Sequence, residues 1–345
     1  LAVVYTITPY TGDCAGTPFT ITITVNPEPV VASDQFDATV CSDEATGVNL
    51  PAADDSGLSI SSYDVAAAVD VDLSGAATTG TGVTDITLIA SDVFTNLTDL
   101  GQDVVYTITP YVGDCAGTPF TITVTVDPEP VVASDQFDAT VCSDEATGVN
   151  LPAADDTGLS ISTYDVSAVV DGSLSGTATT GTAVTDVALI ATDAYTNLTD
   201  GDLDVVYTIT PYTDGCEGTQ FTITITVNPE PVVASDQFDA TVCSDEATGV
   251  NLPAMDDTGL GITSYDVTAF VDGDLTGTAT TGTGVTAVAQ IASDSYTNLT
   301  DGSLAVVYTI TPYTGDCAGT PFTITITVNP EPVVASDQFD ATVCS

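Results

Sequence analysis

The chain has 345 residues, with 49 aspartates and glutamates and no lysine, arginine or histidine, so its formal net charge is −49. Without cationic side chains it has no groups that could bind nucleic-acid phosphates or dock on anionic lipid, and no imidazole or amine for catalysis. Apolar residues make up 43% of the chain, which indicates folded domains rather than acidic disorder. No apolar run approaches the roughly 20 residues of a membrane span.

The sequence repeats with a period of 101 residues. Residues 26–52 return at 127–153 with one change and at 228–254 with none. Such an array points to a mechanical or display role before any chemistry is considered. We expect the C-terminal part of a preceding repeat in 1–28, whole repeats at 29–128, 129–229 and 230–330, and the first strand of a further repeat in 331–345.

Within the repeat at 29–128, the predicted strands follow one another in chain order. Short strands are expected at 39–41 and 47–50, then at 58–69, then at 83–90 after the turn sequence TTGTG. The strongest pattern is a hairpin, in which 104–109 and 120–126 alternate β-branched or aromatic residues with threonine on either side of PYVGDCAGTP. About seven short strands per repeat predict an all-β fold, an antiparallel β-sandwich of immunoglobulin type.

Neighbouring repeats are joined by a Pro-Glu-Pro connector, at 27–29, 128–130, 229–231 and 330–332. Two prolines separated by one residue favour extended polyproline geometry, so this connector is short and stiff. We expect the sandwiches to stack end to end as a rod.

Residues 105–130 (VYTITPYVGDCAGTPFTITVTVDPEP) and 141–151 (VCSDEATGVNL) resemble the PKD-like or Ig-like tandem repeats of Bacteroidota surface proteins. Tyr63, Tyr164 and Tyr265 stand near the position where many members have tryptophan. The resemblance implies a tandem array of PKD-like sandwiches in a secreted, often very large adhesin or filament protein on the outer cell surface. The resemblance implies no catalytic residues.

The eight cysteines form two series with no CxxC pair, which favours disulfides and an oxidising, extracellular or cell-surface location over zinc. Pairing within a repeat is the preferred interpretation, with Cys14 and Cys344 bonded outside the segment. A rival pairing staples adjacent units across the connector, and bridges between chains are a third alternative. The preferred pairs are Cys41–Cys115, Cys142–Cys216 and Cys243–Cys317, and the rival pairs are Cys14–Cys41, Cys115–Cys142, Cys216–Cys243 and Cys317–Cys344. One objection to the preferred pairs is that the hairpin cysteine and the first-strand cysteine could lie at different ends of the sandwich.

Paired carboxylates are the candidate metal ligands, because calcium prefers hard oxygen donors. They are Asp54, Asp55, Asp155, Asp156, Asp256 and Asp257, with Asp43 and Glu44 and their copies. No EF-hand loop is present, and a solvated acidic face is preferred over a calcium site, so no cofactor is expected and calcium stays the alternative. The Asp-Ser-Gly and Asp-Thr-Gly sequences at 55–57, 156–158 and 257–259 match those of aspartic proteases in composition only, and turns are the better interpretation.

Asn-Leu-Thr recurs at Asn96, Asn197 and Asn298 and fits the N-glycosylation pattern, although a loop with a capping asparagine is favoured. Taken together, the sequence predicts a non-enzymatic structural segment of an extracellular filament or adhesin stalk. Its expected partners are neighbouring repeats and other copies of the same chain. The alternatives are a glycan- or protein-binding adhesin module and the stalk of a larger secreted enzyme.

Overall fold

The computed structural model describes residues 1–332, and all regular secondary structure in that range is β-strand. The chain forms two compact units. One contains Leu1–Ala133, Pro152–Tyr164 and Thr210–Phe221, and the other contains Ser134–Leu151, Asp165–Ile209 and, among the described residues, 222–332. The strand predicted within 331–345 lies outside the described residues apart from 331 and 332, as does Cys344.

The strands follow the sequence repeat. Before the first connector they are β1 (Ala2–Ile7), β2 (Tyr10–Thr11), β3 (Cys14–Ala15) and β4 (Phe19–Thr24). The first whole repeat has β5 (Ala38–Cys41), β6 (Ser62–Val69), β7 (Leu73–Gly75), β8 (Gly80–Val83), β9 (Phe94–Asn96), β10 (Gln102–Val112), β11 (Cys115–Ala116) and β12 (Phe120–Asp127). The second has β13 (Ala139–Cys142), β14 (Thr163–Val170), β15 (Gly181–Val184), β16 (Leu203–Thr213), β17 (Cys216–Glu217) and β18 (Phe221–Asn228). The third has β19 (Ala240–Cys243), β20 (Ser264–Val271), β21 (Leu275–Thr276), β22 (Gly282–Val285), β23 (Thr297–Asn298), β24 (Leu304–Thr314), β25 (Cys317–Ala318) and β26 (Phe322–Asn329).

The main sheet of the first repeat has the order β5-β12-β10-β6-β8. The predicted hairpin is confirmed, since β10 pairs antiparallel with β12 from Gln102 opposite Val126 to Ile108 opposite Phe120. Along β12 the apolar residues are buried and the threonines are partly exposed, as the alternation predicted. One pair is parallel: β5 runs beside β12 and ends with Cys41 opposite Asp127. The order recurs in the other two repeats, so the all-β, sandwich-like fold class is confirmed.

The core of the first repeat lies between the inner face of this sheet and a second layer of loops and the short strands β7 and β9. Tyr106, Phe120 and Ile122 from the sheet are at most 1% exposed, and Leu50, Ile89 and Phe94 from the other layer are at most 2% exposed. Burying each such side chain contributes about 1.5–3 kcal/mol before the cost of ordering the chain is counted.

The strand prediction for 83–90 is wrong. Strand β8 instead begins within TTGTG and ends at Val83, and the chain then enters consecutive turns. Asp85 accepts hydrogen bonds from the main-chain N–H and the hydroxyl of Thr87, which starts a helical-type turn instead of an extended chain. Residues 47–50 also form no strand. They are held by isolated main-chain bonds, for example from Leu50 N to Ile86 O (2.7 Å).

Candidate functional site

Residues 1–332 contain two disulfides, and each joins one repeat to the next. Cys41 is bonded to Cys216 and Cys142 to Cys317, each pair separated by 175 residues. The Cα atoms are 5.3 Å apart in both pairs, within the usual range for a disulfide. Because the two bonds occupy equivalent positions, the surroundings of Cys41 and Cys216 define the candidate site, which we call the junction.

The preferred within-repeat pairing is therefore wrong, and so is the rival pairing across the connector. Cys115 and Cys243, both expected to be bonded within the segment, are free cysteines, as is Cys14. The reason is geometric. Cys41 lies beside the last residue of β12, whereas Cys115 lies beyond the first. An eight-residue strand spans about 23 Å, far beyond the reach of a disulfide.

The hairpin that carries Cys216 reaches the junction because it packs against the connector. Thr219 N donates a hydrogen bond to Pro130 O (3.1 Å), and Val131 and Thr219 form a parallel bridge. Gly218 lies so close that a Cβ atom there would be 2.1 Å from Pro130 O. Only glycine allows this approach, which gives the Cys-x-Gly spacing a structural reason. The third repeat repeats the contact, with Gly319 against Pro231.

The junction is strongly acidic. Asp43, Glu44, Glu129 and Glu217 line a concavity beside the Cys41–Cys216 bond. Burial, and then the charge of Asp43, raises the pKa of Glu129. At the second junction, burial and then the charge of Asp144 raise the pKa of Glu230 in the same way. Since the chain has no basic side chain, no internal cation compensates this repulsion.

The first aspartate of each predicted metal pair serves the backbone. Asp54 Oδ1 accepts hydrogen bonds from Ser56 N (2.9 Å), the Ser56 hydroxyl (2.7 Å) and Leu58 N (2.8 Å), and Oδ2 accepts one from Val30 N (3.1 Å). The Ser56 hydroxyl bond, with the main-chain bonds, lowers the pKa of Asp54 to about 2. At Asp155, burial raises the pKa, but the bonds from Val131, Thr157 and Leu159 outweigh it and the pKa is lowered.

The second aspartate of each pair does the same. Asp55 Oδ2 accepts a bond from Ala32 N (2.9 Å) and Oδ1 one from Gln35 Nε2 (3.2 Å). Asp156 and Asp257 accept the equivalent bond from Ala133 N and Ala234 N. These oxygens face hydrogen-bond donors, so the set does not fit a calcium ion, and residues 1–332 contain no cluster of three or more metal-ligating side chains. The pairs instead tie the start of each repeat to the loop that carries them.

The Asn-Leu-Thr asparagines are internal. Asn96, Asn197 and Asn298 are 0% exposed. Asn197 Nδ2 donates to Gly201 O (2.9 Å) and Val227 O (2.8 Å), and its Oδ1 accepts bonds from Thr199. A glycan on this nitrogen does not fit the folded repeat, and the capping interpretation describes what the side chain does.

The first and second repeats each contain a buried hydrogen-bond network of tyrosine and aspartate side chains that includes no cation. In the first repeat, Tyr106 donates to Asp92 Oδ2 (2.6 Å), which also accepts Thr78 N (2.8 Å). In the second repeat Tyr195 adds its hydroxyl to the corresponding pair, Tyr207 and Asp193, where the first repeat has Phe94. Burial is the main cause of the raised pKa of Tyr106 and Tyr207, so both stay neutral donors. We assign these groups a structural role.

The repeats match a known family along most of the chain. The model described as a PKD-like domain matches residues 1–29, 38–130, 139–231 and 240–332. The chain belongs to the PKD-like domain family. No curated protein matches the PKD-like sequence.

Solved structures similar to these PKD-like repeats include the chicken CNTN1 FN1–FN3 domains, at 12% identity over 84% of this chain and 95% of that chain, with a TM-score of 0.29. Drosophila N-cadherin EC1–4 is 13% identical over 96% and 84%, with a TM-score of 0.30. The human Desmocollin-1 ectodomain is 10% identical over 95% and 68%, with a TM-score of 0.29. Similarity at this level says nothing about ligands or partners.

Sequence reasoning missed the pairing rule of the PKD-like repeats, although two signals for it exist. The glycine two residues after each hairpin cysteine marks a close backbone approach. The fixed period also allows a cysteine of one repeat to bond the hairpin of the next. What the sequence did not supply was the parallel placement of β5, which puts Cys41 at the end of its repeat that adjoins the connector.

Within residues 1–332 no helix is long and apolar enough to cross a membrane.

Proposed function

We propose that this chain is a structural repeat segment of an extracellular bacterial surface protein, a filament or an adhesin stalk, in which PKD-like repeats act as a stiff acidic spacer. The observation that carries the proposal is the equivalent placement of the two disulfides, each of which ties one repeat to the next. A covalent bond between neighbouring repeats restricts their bending and separation, which is what a spacer made of stacked repeats requires.

Three further features support this function. The cystines are stable in an oxidising compartment, which favours a secreted or surface location. The charge of −49 keeps an elongated molecule solvated and resists non-specific association. Asp54 and its copies, through their main-chain bonds to the first residues of each repeat, fix the direction in which the chain leaves the connector. We also propose the repeat boundaries 29–128, 129–229 and 230–330, with one sandwich in each.

Negative-stain microscopy of the oxidised and reduced chain tests the spacer function. We expect particles of uniform length with one bead per repeat, and greater bending at the junctions after reduction. Addition of a chelator should leave the oxidised particles unchanged, because the carboxylate pairs face hydrogen-bond donors. Compact particles in the oxidised state, or the same bending before and after reduction, would contradict the proposal. Higher oligomers in sedimentation velocity would add self-association of copies to the spacer role.

A further inference from the structure

The two disulfides form overlapping loops, and the overlap has a mechanical consequence. The bond Cys41–Cys216 closes a loop that includes Cys142, and the bond Cys142–Cys317 closes a loop that includes Cys216. Three chain segments therefore connect one cystine to the other: 41–142, 142–216 and 216–317. They act in parallel, so the shortest of them alone limits how far apart the two cystines can move.

The shortest segment, 142–216, has about 74 residues and reaches about 250 Å when fully extended. Without the disulfides, the chain from Cys41 to Cys317 has about 276 residues and reaches about 950 Å. The direct covalent route omits residues 42–141 and 217–316. Those residues include most of the core of the first repeat and most of that of the third. Unfolding of either core would release no length along this route.

We propose that the disulfides carry tension past the folded cores of the first and third repeats, so that the oxidised chain resists stretching there through covalent bonds and not through the stability of those two domains. This inference deepens the proposed structural role and rests on it for its purpose, while the covalent route is a property of the pairing itself. Where the pairing continues in further repeats, Cys243 is bonded in turn, and the segment 216–243 links cystines two repeats apart.

That segment has about 27 residues and little slack. It contains the strands β18 and β19, which are already extended, and the Pro-Glu-Pro connector between them. Its full reach is about 90 Å. A continuous array would therefore contain two interleaved covalent lines. Each line would consist of segments made of the last strand of one repeat, the connector and the first strand of the next repeat, and cystines would join these segments.

Single-molecule force spectroscopy on the full chain, held at residues 1 and 345, tests the route. Cys14, Cys115, Cys243 and Cys344 are replaced by serine to prevent other pairings. The oxidised chain should extend to about 140 residues of contour, near 500 Å, and the reduced chain to about 345 residues, near 1,200 Å. An oxidised chain that reaches the reduced length would overturn the proposal.

Single-bond variants make the test specific. Cys41→Ser and Cys142→Ser should each lengthen the oxidised chain by only about 27 residues, near 90 Å, because the remaining bond still bypasses one loop of 175 residues. An increase of about 101 residues would instead indicate that Cys41 bonds Cys142, and would refute the overlap. A chain that is short under force but compact in microscopy would contradict the spacer function and leave the covalent route intact.

Discussion

Replacing Gly218 with alanine should undock the hairpin of the second repeat from the connector and weaken the Cys41–Cys216 bond. The new Cβ would lie 2.1 Å from Pro130 O and 2.5 Å from Pro130 Cγ, so the hairpin must move by more than about 1 Å to restore ordinary contact. A shift of that size breaks the 3.1 Å bond from Thr219 N to Pro130 O. Overpacking of this kind costs about 1–3 kcal/mol, or up to roughly a hundredfold in the docking equilibrium.

The measurement is a titration in glutathione buffers, with each cysteine's oxidation state read by alkylation and mass spectrometry. The hairpin peptides differ, since Cys216 precedes Glu217 and Cys317 precedes Ala318, so the two bonds are followed separately. In the Gly218→Ala variant the Cys41–Cys216 bond should be reduced more easily by up to two orders of magnitude, while Cys142–Cys317 serves as the internal control.

A second control is Gly172→Ala, which places a Cβ with no atom within 4 Å and should change neither bond. If Gly218→Ala leaves both bonds equally resistant to reduction, the hairpin does not need the contact with Pro130, and our explanation of the Cys-x-Gly spacing fails.

Three further predictions concern the acidic groups and the buried asparagines. Because the pKa of Asp54 is lowered to about 2, its carboxylate stabilises the fold above about pH 4 and loses that effect as pH falls toward 2. The unfolding temperature of the Asp54→Asn variant should therefore fall less steeply than that of the unmodified chain between pH 4 and pH 2, and an unchanged slope would contradict this. The pKa of Glu230 is raised, so its charge opposes folding once the pH rises above the ordinary pKa of a glutamate. Glu230→Gln should therefore raise the unfolding temperature at pH 7 but not at pH 4, and a lower unfolding temperature at pH 7 would show that the carboxylate stabilises the fold. Asn197→Ala leaves Val227 O without its buried donor and should lower the free energy of unfolding by about 2–3 kcal/mol in denaturant titrations, whereas a glycan-acceptor role would predict no loss.

The parts of the fold that sequence could predict are those fixed by local alternation. Phe120, Ile122 and Val124 alternate with threonine, and a half-buried strand is the only element that separates the two sets of side chains. The segment at 83–90 has a similar content of apolar residues, but Asp85 offers its side chain to the backbone and turns the chain instead. The pattern of apolar residues does not reveal that a side chain competes with a neighbouring strand for the backbone hydrogen bonds.

The site was harder to predict because it depends on which end of a repeat each residue occupies. Cys41 and Cys115 look like partners when one repeat is considered alone, and only the direction of β5 beside β12 separates them. The carboxylate pairs posed a similar problem. Asp54 and Asp55 resemble metal ligands by residue type alone. In the structure their carboxylate oxygens accept hydrogen bonds from amide groups 20–25 residues earlier in the chain.

The overlapping loops also determine how the molecule responds to proteases. Between Cys41 and Cys317, hydrolysis of any one peptide bond leaves the two sides joined, because two intact segments still connect the cystines. Separation requires a cut in each of the three segments, and enzymes that cleave after lysine or arginine find no site anywhere in the chain. A chain cut once between the cystines therefore stays covalently continuous for as long as both cystines remain oxidised.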